Sequence, residues 1–325
     1  MKTKVFCSAL AVLVFALILP AQAQQARIPK IGQLSTSSLG ASGRRESLGR
    51  ELRPFGYVDG KNMTIEFRYA DNKLERLPAL AEELVGLKVD VLVVGTTPGA
   101  LAAKNATRTI PIVFRSVSDP IAVGLIDSLA RPGGNITGTT DISAVLAGKR
   151  LELLKETVPN VSRVAVLWDP QNAASVQDWK ESQLVARALG LQLHSMAVSS
   201  ADKYAVAFKE AIKARSGALA VTGHSLADAN QKQIADLAIK NRLPAIYHRG
   251  DYVASGGLMS YGPDRAEQDR RVAVMVDKIL KGTKPADIPV EQPKSFEFIV
   301  NLNAAKQIGL TIPPNVLVRA GKVIR

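Results

Sequence analysis

VLVVGTTPGALAAKNATRTIPIVFRSVSDP, residues 91 to 120, carries the pattern from which the architecture follows. Val91–Val94 is an unbroken run of valine and leucine, as expected of a strand covered on both faces. It breaks at Gly95-Thr96-Thr97-Pro98, an alanine-rich helical pattern follows, and a second apolar run, Ile110–Arg115, ends in Ser116-Val117-Ser118-Asp119-Pro120. Strand, helix and strand make a βαβ unit. Its two small polar mouths sit at strand carboxyl ends, where open parallel sheets hold ligands.

The same alternation runs along the rest of the chain. Before and after this unit, candidate strands are Ile28–Leu34, Met63–Tyr69, Val89–Gly95, Ile110–Arg115 and Asn135–Gly138. A second set is Arg163–Trp168, Leu191–Val198, Ala218–Thr222, Leu243–Tyr247 and Gly257–Tyr261. Between them, segments such as LERLPALAEELVGL and KRLELLKETV repeat leucine at three and four residues, the period of an amphipathic helix. The expected fold is α/β, with two Rossmann-like parallel-sheet lobes of five strands each. The break falls at RPGGNITGTTDIS, Arg131–Ser143, and a second weak point is ASGGLMSYGPD, Ala254–Asp264. We expect residues 27–140 plus about 258–285 in lobe 1 and residues 141–257 plus about 286–325 in lobe 2, with the sequence leaving open which lobe receives the tail. Crossing segments act as hinges. In the tail, Phe296, Phe298 and Val300 alternate as in a further extended segment, before a short helix and a Pro-Pro stop.

Residues 1–23 read differently. Lys2 and Lys4 precede an apolar core from Val5 to Leu19, then Pro20 and the small-residue site Ala21-Gln22-Ala23. That core is shorter than the roughly 20 residues that span a bilayer, so it is expected to be a signal peptide cleaved near Gln24, with a periplasmic product. Cys7, the only cysteine, lies inside it, so disulfides and a thiolate nucleophile are excluded from the mature chain. The formal charge of +13 becomes +11 without Lys2 and Lys4. The densest basic run, GRRESLGRELR, includes two glutamates and no aromatic residue, so it reads as a solvated helix face and not a nucleic-acid surface. The remaining roughly 300 residues suit two domains.

The polar mouths supply the candidate binding residues: Ser35 and Thr36, Thr96 and Thr97, Ser118 and Asp119 in lobe 1, with Trp168, Asp169, Thr222, His224, Tyr247 and Tyr261 in lobe 2. Thr97-Pro98 and Asp119-Pro120 read as helix starts, where free N–H groups and the positive dipole end suit a carboxylate or phosphate. Taken singly, each is an ordinary cap; converging on one cleft, they form a site. Trp168, Tyr247 and Tyr261 are expected to wall an apolar part of the ligand. Gly223-His224-Ser225 resembles a nucleophile elbow, but only His248 follows Ser225, with Asp228 and Asp236 between them, too close to supply acid and base from later strands. No phosphate-binding glycine motif is present, and the three histidines lack metal-ligand spacing. No catalytic residue, metal or cofactor is expected.

LPALAEELVGLKVDVLVVGTTPGALAAKNATRTIPIVF, SDPIAVGLIDSLARPGGNITG, GKRLELLKETVPNVSRVAVLWDP, LPAIYHRGDYVASGGLMSYGPD and VDKILKGTKPADIPVEQPKSFEFIVNLNAAKQIGLTIPP occur in this order. Together they resemble the ABC-transporter substrate-binding proteins of the tryptophan/tyrosine-type binding component family, over about Ile28 to Ile324. The resemblance implies a type 1 periplasmic-binding fold, two lobes joined by three crossings that close on a small molecule. It also implies a permease and an ATPase on separate chains. By it, Thr96, Thr97 and Pro98, Ser118, Asp119 and Pro120 match ligand-facing loops, and Tyr261-Gly262-Pro263-Asp264 matches a hinge motif. Asp169-Pro170 and VTGHS depart from the family pattern in lobe 2. The expected ligand is an amino acid or small aromatic carboxylate, bound by a monomer that neither spans a membrane nor binds nucleic acid. Two alternatives stand beside it: a secreted α/β serine hydrolase using Ser225, and a ligand-sensing partner of a membrane receptor.

Overall fold

The computed structural model describes residues 28–37 and 44–325; the expected signal peptide lies outside the described residues. Lobe 1 is built on a five-stranded, wholly parallel sheet of order β2-β1-β3-β4-β5, formed by β1 (Lys30–Ser35), β2 (Thr64–Tyr69), β3 (Val91–Gly95), β4 (Ile112–Val117) and β5 (Ile136–Thr140). Its connecting helices are α1 (Arg44–Leu52), α2 (Leu77–Gly86) and α3 (Thr97–Ala106). The apolar run at β3 is divided by the pleat. Val91 and Val93 pack with Leu48 and Leu52 of α1, whereas Leu92 and Val94 pack with Leu80, Leu84 and Ala103 of α2 and α3. A strand buried on both faces needs apolar residues at every position, and this one has them.

Lobe 2 has seven strands, not five, in the order β12-β11-β10-β9-β8-β6-β7. They are β6 (Arg163–Trp168), β7 (Gln192–Ala197), β8 (Ala218–Val221), β9 (Ala245–Tyr247), β10 (Met259–Pro263), β11 (Phe296–Asn301) and β12 (Lys322–Ile324). Their helices are α4 (Ser143–Thr157), α5 (Ala173–Ala188), α6 (Tyr204–Lys213), α7 (Ser225–Ala229), α8 (Gln231–Lys240) and α9 (Asp251–Ala254). After β10 come α10 (Arg265–Leu280), α11 (Leu302–Ile308) and α12 (Pro314–Arg319). One pair, β10 with β11, is antiparallel, because the tail enters this sheet from the opposite end.

The expected lobe boundaries need two corrections. Residues 259–263 belong to lobe 2, because β10 pairs with β9 on one side and β11 on the other. Only the following helix, α10, returns to lobe 1, where Val272, Met275 and Val276 bury against Val91 and Val113. Residues 285–291 stay with lobe 1, since the Thr137 hydroxyl donates to the Ile288 carbonyl at 2.7 Å and Glu291 bridges to Thr139. The chain therefore crosses at 141–143, at Asp264 and at 292–295. The last two run side by side, with Asp264 N–H on the Ser295 carbonyl. Among the described residues no helix is long and apolar enough to cross a membrane.

Candidate functional site

The strand carboxyl ends of both sheets face one cavity, with about 960 Å³ of free space measured out to its mouth and into open solvent. Lobe 1 contributes Thr36 and Ser37 after β1, Thr96 and Thr97 at the start of α3, and Arg115 and Ser116 at the end of β4. Lobe 2 contributes Asn172, Gly223, His224, Ser225, His248 and Arg249 from the loops after β6, β8 and β9. Asp141, Ser143, Arg265 and Gln268 add the crossings and the first turns of the helices that follow them.

Backbone strain gathers at the lobe 1 mouths. Thr96 and Ser116 both hold positive φ, 69° and 56°, a region that side-chain-bearing residues avoid unless surrounding structure enforces it. Thr96 is the N-cap of α3, yet its hydroxyl caps nothing and is buried without a partner among the described residues. Ser116 donates its hydroxyl to Gln268 at 3.1 Å, and Gln268 donates in turn to the Thr140 carbonyl at 3.0 Å. Hydrogen bonds between hydroxyls and backbone also join the lobes directly: Ser225 Oγ donates to Thr36 Oγ1 at 2.9 Å, and Ala144 N–H donates to Ser118 Oγ at 3.2 Å.

Four arginines line the cavity. Arg115 pairs with Asp269, Arg249 with Asp228 at 2.7 Å, and Arg265 with Asp251 at 2.9 Å. Arg150, only 3% exposed, ties β10 to the first crossing: Nε donates to the Tyr261 carbonyl at 2.9 Å and Nη1 to the Ser143 carbonyl at 3.5 Å. Asp178 and Asp141 hold its charge while burial opposes it. Asp178 is fully buried; its Oδ2 accepts the Ser143 hydroxyl at 2.8 Å and Gly223 N–H at 3.3 Å, and its Oδ1 has no partner among the described residues. Burial pushes its carboxyl up to about 6, against the pull of Arg150. Because the folded chain holds this proton more tightly than the unfolded one, stability is greatest below the unfolded value and falls as pH rises to about 6. Asp178→Asn is expected to flatten that slope. Denaturant titrations from pH 4 to 7.5 check it, and a variant with an unchanged slope would refute the assignment.

The match to a family model for ABC transporter substrate binding protein extends over residues 40–324. The chain belongs to this family. The match covers most of the chain, and the fold of two parallel-sheet lobes facing one cleft agrees with it; it is a binding family, not an enzyme family. A tyrosine-binding protein of Clostridioides difficile (strain R20291) is 28% identical over 261 residues, 80% of this chain and 75% of that one. An L-Trp complex of an ABC domain from Streptococcus pneumoniae is 27% identical, covers 91% of this chain and 99% of its own, and superposes with a TM-score of 0.84. A ligand-free, open substrate-binding protein with adhesive properties from Clostridium difficile, also 27% identical with coverage of 91% and 99%, gives 0.67. At equal identity the superposition is better on the ligand-bound relative of this substrate-binding protein than on the open one, and the lobe-to-lobe bonds agree with that difference.

Of the twelve residues expected at the site, Thr36, Thr96, Thr97 and His224 line the cavity of the substrate-binding protein. The other eight lie off its wall. Ser35 bonds Ser37, Ser118 caps α4, and Thr222 is held by Ser175 and the Leu167 carbonyl. Asp119 accepts from Ile121 and Ala122 N–H in an exposed turn, so Asp119-Pro120 opens a turn and not a helix. Asp169 sits behind His224, 3.9 Å from its Nδ1. The three aromatic residues all face elsewhere. Trp168 stacks on Trp179 at 5.4 Å and donates to Ser195, Tyr247 stacks on Tyr252 at 4.6 Å, and Tyr261 stacks on Phe296 at 6.0 Å. Strand parity is the cause: Trp168 follows Val164 and Val166, Tyr247 follows Ala245, and Tyr261 follows Met259, each onto a sheet face. Ser225 does not form a nucleophile elbow, since its hydroxyl is spent on Thr36. Sequence reasoning missed Arg115, Asp141, Arg150, Asp228, Arg249, Arg265 and Gln268. Only Arg115 and Arg249 carried a signal, as polar residues at or just past strand ends.

Proposed function

We propose that this protein is the periplasmic substrate-binding component of an ABC importer. In this reading it captures a small carboxylate-bearing molecule of the amino-acid class, and a permease and ATPase on separate chains read its closed form. The observation that carries the reading is the convergence of polar mouths from both sheets on one cavity, already bridged by the Thr36–Ser225 bond. The start of α3, with Thr96 and Thr97, suits a carboxylate, because the positive helix end and backbone N–H groups face it. Asp141, on the first crossing, offers an ammonium its counter-charge. The tyrosine-binding relative and the L-Trp complex add support for an amino acid. The export reading rests on Lys2, Lys4 and the Val5–Leu19 core.

Native mass spectrometry of protein purified from periplasm, followed by calorimetry with the standard amino acids and simple aromatic carboxylates, tests the reading. A retained or titratable amino acid or carboxylate is the expected result. A tightly held ligand of another class, with no heat from any carboxylate, would overturn it.

A further inference from the structure

The lobe 2 wall of the cavity is of a different kind from the aromatic wall its sequence suggested. Among the described residues the lining holds no Trp, Tyr or Phe side chain. Two imidazoles stand there instead, His224 on the loop after β8 and His248 on the loop after β9. Gly223 brings the two loops together: a Cβ at that position would lie 3.2 Å from His248 Cδ2, so the first loop lies against the second imidazole.

The bonding pattern assigns a tautomer to each ring. His224 Nδ1 accepts the Ala227 N–H at 3.3 Å, so it carries no proton. Burial lowers the pKa of this ring to about 4 and lowers that of His248 as well, so both are neutral near pH 7. The proton of His224 is then on Nε2, which is buried and has no acceptor among the described residues. His248 is the mirror case. Its Nε2 lies 3.0 Å from Asp228 Oδ1, an oxygen that only accepts, so the proton is there and Nδ1 is bare. That Nδ1 is buried and has no donor among the described residues. Asp228 is held in turn by Arg249 at 2.7 Å and by the Tyr252 hydroxyl at 3.3 Å, so the second imidazole has a fixed orientation.

One unpaired donor and one unpaired acceptor thus stand on adjacent loops, on the lobe opposite the α3 start. We propose that His224 and His248 are specificity-determining residues that read a hydroxyl or amide at the end of the ligand remote from its carboxylate. The inference rests on the reading above, and it narrows the substrate class to amino acids or carboxylates whose distal group both gives and accepts hydrogen bonds. A purely apolar side chain would leave both ring nitrogens buried and unpaired, the situation in which sites built for hydrogen bonding discriminate most strongly.

Calorimetry on the wild type with L-tyrosine against L-phenylalanine, L-threonine against L-valine, L-glutamine against L-methionine, and 4-hydroxybenzoate against benzoate tests this. In any pair that binds, the polar member is expected to bind about 100-fold or more tightly. His224→Phe is expected to reduce that ratio to within about tenfold. Should His224→Phe melt early, long-range imidazole 15N spectra of the wild type give the same answer. The His224 Nε2 and His248 Nδ1 signals shift with the polar probe and stay still with the apolar one. Equal affinities within a binding pair, or unmoved imidazole signals, overturn the specificity assignment alone. No heat from any of the eight probes overturns this inference, and the carboxylate reading falls with it only when the remaining standard amino acids give no heat either.

Discussion

Replacing Arg150 by methionine is expected to lower the unfolding free energy by about 3–5 kcal/mol, the usual cost of removing one partner from a buried charge cluster. Methionine fills the volume but leaves the Tyr261 and Ser143 carbonyls without their donor, and it removes the cation nearest to Asp178 and Asp141. Those carbonyls belong to the middle of β10 and to the first crossing, so the loss also loosens one of the three connections between lobes. Arg150→Lys is expected to recover only part of the stability, because an ammonium is a point donor and cannot span both carbonyls as a guanidinium does. Denaturant unfolding followed by circular dichroism measures both. Methionine and wild-type proteins with melting temperatures within about 1 °C of each other, less than about 1 kcal/mol in a chain of this size, would remove Arg150 from this role.

Gly262→Ala is expected to cost about 2–4 kcal/mol by a different route, backbone overpacking. A Cβ there would lie 2.0 Å from the His248 carbonyl oxygen and 3.1 Å from the carbonyl carbon, and neither belongs to a flexible side chain. Relief requires β9 and β10 to part next to their Ser260–Tyr247 register pair, which moves His248 and Arg249 at the cavity wall. Gly86→Ala is the matched control. It lies at the end of α2 with nothing within 4 Å of a Cβ, and there alanine is expected to be neutral or slightly stabilising. Comparable melting temperatures for the two variants would mean that the strands relax at no cost.

The fold was legible in the sequence because both-face burial forces continuous apolar runs, and eleven of the strands announce themselves in this way or by alternation. What local pattern does not encode is pairing. The strand at Met259–Pro263 was foreseen, but its lobe depends on Ile246 and Tyr247 thirteen residues earlier in the register. The three-residue strand Lys322–Ile324 is too short to carry a period. The site divides along the same line. Thr36, Thr96, Thr97 and His224 were legible because a strand end fixes where the following loop lies. Trp168, Tyr247 and Tyr261 were misplaced because a residue still inside the pleat is aimed at a sheet face, whatever its chemistry. Arg150 and Gln268 were illegible because each sits in a charged helical repeat that reads as solvated, and only the meeting of two lobes turns those faces inward.

Small-angle X-ray scattering of the mature chain, with and without the ligand identified by native mass spectrometry, tests the closure account most directly. Hinge closure around a ligand held between lobes predicts a smaller radius of gyration on saturation, with the bound scattering curve matching the closed arrangement bridged by Thr36 and Ser225. Saturation confirmed by calorimetry with the radius of gyration unchanged would contradict it.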